Sequence, residues 1–222
     1  MKHLKMMGLA VLAVLALTAV AGAGTASASA TVCSTNTSPC TGILYGAGTK
    51  ITAQLAAGSV ATLTTSIGNV VCKKSTVAGV LTGHKAAEGE KPTIPSGHGE
   101  ITGLTFTECV LTPFFGNPTN CTVTAINLNY TVTAVATGGG NGDLTITAKG
   151  SQGPPGATVV CGSLINCSFT SSHLVLDVTG GNPALVHAKE EELSRTGGLC
   201  PSTSKWDATY EVTSPKPLFL TV

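Results

Sequence analysis

The sequence predicts an all-β protein: a single-domain β-sandwich or barrel of about ten strands, stapled by disulfides, with at most one short helix. Three observations carry this. Threonine, a strand-favouring residue, makes up 32 of the 192 residues from Thr31 to Val222, while charged residues are 10% of the chain. Short apolar–polar alternations recur along the whole length, separated by Gly, Pro and Asn. All eight cysteines lie beyond position 30, and an even set in an exported chain reads as a disulfide framework.

Residues 1–30 read as a secretory signal peptide. Lys2, His3 and Lys5 give a basic start, Met6–Val20 an apolar run, and Ala28-Ser29-Ala30 a small-x-small cleavage pattern. The run is about 15 residues, short of the ~20 that span a bilayer. Residues 31–222 then form one exported all-β domain with no membrane span. Without Lys2 and Lys5 that domain has ten basic and eleven acidic residues, a net charge of −1, and Arg195 is its only arginine. No basic stripe exists for a nucleic acid.

The strands follow in order. Thr31–Gly48 is a Ser/Thr/Gly-rich opening segment. Ile51, Ala53 and Leu55 alternate with Thr52 and Gln54, Ala57-Gly58-Ser59 turns, and Val60–Thr65 returns. Val70–Cys72 and Val77–Leu81 flank Lys73-Lys74-Ser75. Residues 83–99 read as a polar loop. In 101–107 the alternation sets Ile101, Gly103, Thr105 and Thr107 on one face and Thr102, Leu104 and Phe106 on the other. Between Thr122 and Val135 the alternation changes register near Ala125–Ile126, which predicts a bulge. Gly138–Asp143 supplies residues tolerant of positive φ for a hairpin to Leu144–Ala148. Val159–Cys161, Cys167–Phe169 and Leu174–Val178 are further strands. Asn182-Pro183 resembles a helix cap, so 184–195 is one short helix or an irregular strand. The chain closes on Trp206, Ala208, Tyr210 and Val212 alternating with polar partners, a half-buried strand holding the only tryptophan.

Spacing suggests the pairs Cys33–Cys40, Cys109–Cys121 and Cys161–Cys167, leaving Cys72–Cys200 as a long-range tie. The intervals C-x6-C, C-x11-C and C-x5-C are not zinc spacings.

V-V-C-K-K-S-T-V-A-G at 70–79, L-T-F-T-E-C at 104–109, C-T-V-T-A at 121–125 and the final C-P…W-D-A-T-Y-E-V-T-S-P-K-P-L-F resemble a group of uncharacterised exported proteins of high-GC Gram-positive bacteria. The resemblance implies an exported, disulfide-bearing β fold and inclines 184–195 toward strand. It brings no functional residue with it.

Chemistry-bearing patterns are few. His84, Glu88, His98 and Glu100 lie in or beside the polar loop and could in principle ligate a metal; a solvated charged loop is the simpler reading. His173 and Asp177, four apart on one strand, share a face near Ser171 and Ser172, but neighbours on one strand rarely align as a catalytic triad. No G-x-S-x-G elbow, H-E-x-x-H or phosphate loop occurs. Phe114 and Phe115 lie in the 110–120 segment and are the candidate binding residues; packing against one end of the core is the plainer reading. The expectation is a non-enzymatic exported domain, structural or binding, at the cell envelope or outside the cell. It has no cofactor or metal, and a cell-wall glycan or surface protein as partner. A secreted hydrolase using carboxylates or a His-bound metal is the alternative.

Overall fold

A computed structural model describes residues 30–83, 97–113, 116–163, 165–196 and 200–222. Those residues form fourteen strands and no helix. They are β1 (Thr31–Cys33), β2 (Lys50–Leu55), β3 (Ala61–Thr65), β4 (Gly68–Leu81), β5 (His98–Pro113), β6 (Thr119–Ile126), β7 (Tyr130–Gly138), β8 (Asn141–Thr147), β9 (Gly156–Cys161), β10 (Ile165–Thr170), β11 (His173–Thr179), β12 (Leu185–Arg195), β13 (Thr203–Ser214) and β14 (Phe219–Thr221).

Twelve of these strands close on themselves. The long strands β4, β5, β12 and β13 each pair along most of their length. The other four wall positions are each built from two collinear pieces: β2 with β3, β6 with β7, β8 with β9, and β10 with β11. All pairings are antiparallel between wall positions successive in sequence, and β13 returns to pair with both β2 and β3. The result is an eight-position up-and-down antiparallel barrel. Fourteen strands replace the expected ten because β1 and β14 form a ribbon of their own, 185–195 is strand, and the run from Thr122 to Val135 is divided into β6 and β7. At the break between β6 and β7, Asn127 and Asn129 take φ of 57° and 75°, a conformation asparagine tolerates better than most residues. The register change foreseen at Ala125–Ile126 falls at these residues.

Local chemistry sets the wall's shape. The β7–β8 hairpin turns through Gly139 and Gly140 at φ 62° and 82°, the paired positive values that match strand twist. Beside Thr102 the β4–β5 register shifts, so Ile101, Leu104 and Phe106 all line the inside instead of dividing between two faces. In the middle of the same pair Lys73–Lys74 and Thr107–Glu108 face solvent together. Lys74 is ion-paired with Glu108, which has φ 55°. Cys72 and Ser75 therefore both stay inside. Residues 185–195 are strand, because β12 has partners on both sides in β13 and in β11 and β10. Tertiary pairing overrides the Asn-Pro cap signal, and an irregularity between Ala188 and Glu191 absorbs the acidic run, with Glu190 at φ 52°.

The disulfides are Cys33–Cys40, Cys72–Cys109, Cys121–Cys161 and Cys167–Cys200. Only the first matches the spacing argument. Cys72, Cys109, Cys121 and Cys161 stand directly opposite one another across β4, β5, β6 and β9. Cys109 thus has a cysteine on either side, and the pairing 72–109 with 121–161 leaves none single. Spacing along the chain cannot reveal such a row; register can.

One end of the barrel carries a roof. β1 and β14 pair as a separate ribbon, with Thr31 and Thr221 joined by their hydroxyls at 2.8 Å. Val32, Leu218 and Leu220 face down and pack with Ala134, Val178 and Val212. Gly142 permits this approach: a Cβ there would meet Leu220 Cδ1 at 2.7 Å and the Val135 carbonyl at 2.2 Å. Ala30 is 0% exposed, and its carbonyl accepts the Gly97 N–H. The fold thus includes the last residue of the expected leader.

Candidate functional site

The wall alternates with period two, and the side chains that point in are mostly apolar. On β13, Ser204, Trp206, Ala208, Tyr210 and Val212 face the interior, while Lys205, Asp207, Thr209, Glu211 and Thr213 face out. Thr52 and Thr213, and Thr76 and Thr105, join hydroxyls across neighbouring strands outside. An apolar inside and a polar outside is the reverse of a lipid-embedded barrel.

The interior is not filled. A cavity of about 220 Å³ extends from the roof residues Val32, Leu218 and Leu220 down to Cys72, Val123, Val159 and Trp206. Leu63, Val77, Phe106, Val132 and Trp206 point inward yet are only half-buried, since part of each surface borders this space. Protein interiors seldom contain voids much larger than a water molecule. An eight-stranded barrel is at the size where side chains either fill the lumen or leave room for one small ligand.

Among the described residues around the cavity only Glu100 bears a charge, and its carboxylate accepts from Lys149 Nζ at 2.8 Å. Two tyrosines also border the space. Tyr130 Oη donates to the Ile126 carbonyl and lies 3.2 Å from the Gly156 carbonyl, tying the β6–β7 break to β9. Burial raises its phenol's pKa, with the Gly156 contact opposing. Tyr210 is 3% exposed and its Oη lies 2.8 Å from Ser75 Oγ, also 3% exposed. Burial pushes the Tyr210 phenol up to about 12, the Ser75 hydrogen bond pulling the other way.

The opposite end is tightly packed. Leu111, Ile165, Cys161, Cys167 and Phe169 fill it, leaving a space of about 10 Å³.

Sequence reasoning looked elsewhere for the site. Phe114 and Phe115 lie outside the described residues, as do His84 and Glu88. His98 stands at the start of β5, its Nδ1 3.5 Å from Thr133 Oγ1. His173 and Asp177 share the outer face of β11, as the spacing predicts. His173 Nδ1 contacts Ser172 Oγ at 3.1 Å, whereas Asp177 stands opposite His187. His187 Nε2 lies 3.7 Å from Asp207 Oδ2 on the exposed surface. Among the described residues no three His, Cys, Asp or Glu side chains gather as a metal site. No helix among them is long and apolar enough to cross a membrane. The one legible sign of the cavity is the inward stripe Trp206–Ala208–Tyr210–Val212, and an inward stripe fits a solid core equally well.

No protein-family model matches the chain, and no curated protein or solved structure matches it. The four disulfides fit an oxidising environment, extracellular or in the envelope.

Proposed function

We propose that this protein is a non-enzymatic, exported binding protein that holds one small apolar molecule inside its barrel. The carrying observation is the apolar cavity of about 220 Å³ beneath the β1–β14 roof. An apolar cavity of this size stays dry, and its lining lacks contact partners until an apolar molecule supplies them. The polar outer wall keeps such a protein soluble while it carries the molecule through water. The leader-like first thirty residues and the disulfides support a place outside the cytosol.

The test uses the chain's only tryptophan, which borders the cavity. Propylbenzene at about a hundred times its Kd should add roughly 2.7 kcal/mol of stability, a rise of roughly 5–10 °C in Tm, and shift Trp206 emission. Val132→Phe, which fills the space from β7, should keep the fold and abolish both responses. If hydrocarbons of six to twelve carbons leave Tm and emission unchanged in the wild type, the reading is wrong.

A further inference from the structure

We infer that the occupant is a neutral, mostly hydrocarbon molecule of about nine heavy atoms bearing one hydrogen-bond acceptor, such as a ketone, ester or ether, which binds the Ser75–Tyr210 hydroxyl pair. This deepens the proposal above and rests on it.

Each hydroxyl has one hydrogen to donate. Ser75 Oγ and Tyr210 Oη lie 2.8 Å apart, and each is the other's sole hydrogen-bond partner in the described structure. One O–H···O bond uses one hydrogen, whichever residue donates it. The second hydrogen has no acceptor, in a place where both residues are 3% exposed. A buried donor left over in this way is costly, and native structures seldom leave one without a reason.

Position gives the reason. Tyr210 borders the cavity. Ser75 is brought inside by the paired outward residues Lys73–Lys74 and Thr107–Glu108, and the pair bridges β4 and β13 beside Leu55, the last residue of β2. A water in the cavity would want two to four polar partners, and the lining beside Tyr210 is almost wholly apolar.

Charge and size narrow the class. Among the described residues no Lys, Arg or His borders the cavity, so a carboxylate head would be buried there without a counter-ion. A dry cavity of 150 Å³ takes benzene, about 25 Å³ per carbon, which scales to roughly nine heavy atoms for the volume here.

The experiment compares three probes of similar size: nonane, 2-octanone and octanoate. Binding is read by headspace or solution depletion over wild-type protein and over the double variant Ser75→Ala with Tyr210→Phe. Removing both hydroxyls together leaves no orphan, so the variant should fold with nearly unchanged Tm. We expect 2-octanone to weaken about tenfold in the variant, nonane to change less than twofold, and octanoate not to bind. Equal 2-octanone binding by both proteins, or octanoate binding as tightly as 2-octanone, overturns the inference while leaving an apolar carrier intact. Failure of both nonane and 2-octanone to bind wild-type protein removes the carrier reading itself. Should the variant not fold, the carbonyl stretch of 2-octanone bound to wild type decides. A shift below its value in hexane supports the hydrogen bond, and a stretch equal to the hexane value refutes it.

Discussion

The two ends of this barrel are made from the same wall and solved differently. At one end Cys161, Cys167, Phe169 and Leu111 leave about 10 Å³ unfilled; toward the roof the same alternating strands enclose about 220 Å³. The packed end concentrates three of the four disulfides, and one of them, Cys72–Cys109, reaches the floor of the hollow end. Covalent ties at one end can therefore offset cohesion given up at the other, because a disulfide stabilises chiefly by restricting the unfolded chain wherever it sits.

The comparison breaks most clearly under truncation. Phe169→Ala, at a residue 2% exposed in the packed end, should cost about 4 kcal/mol in urea unfolding. Phe106→Ala, at a ring already bordering the cavity, should cost about half as much. Equal costs would mean that the upper chamber is as well packed as the lower end.

Replacing Cys72 and Cys109 together by Ala opens a loop of 37 residues and should remove about 4 kcal/mol, roughly 8–16 °C of Tm by calorimetry. Hydrocarbon binding measured well below the new Tm should persist, since the bridge stands at the cavity's floor and the roof is untouched. Loss of binding with retained fold would show that the two ends are not separable.

The smallest effect is alkaline. Tyr210, pushed up to about 12, holds its proton more tightly folded than unfolded. Its contribution is whole below about pH 10 and is lost as pH rises through 12, roughly 2–3 kcal/mol in all. Tyr130 shifts in the same direction, so Tyr210→Phe should flatten only part of the wild-type decline in an alkaline denaturation series. A wild-type protein with no decline between pH 10 and 12 would place water in contact with the phenol and make the chamber wet.

Much of this architecture can be read from residue order. The Trp206–Val212 stripe, the Gly139–Gly140 hairpin and the Thr-rich outer faces follow from period two and from which residues accept positive φ. What could not be read depends on contacts between distant strands. The cysteine row is a matter of register, and Cys109 lies next to Cys72 only because β4 and β5 align residue for residue there. The inward turn of Leu104 and Phe106 hangs on one extra residue, Thr102. The cavity is the extreme case: Val77, Val132 and Trp206 would look the same in a filled core, and emptiness is a property of how the ring closes, not of any segment.

The roof has a temporal consequence. Thr31 and Thr221 meet across 190 residues of chain, so during synthesis every stave of the vessel emerges before the cover that joins them can be laid. The newborn chamber therefore stands uncovered for an interval, and a guest could be taken aboard then without any later gate having to swing.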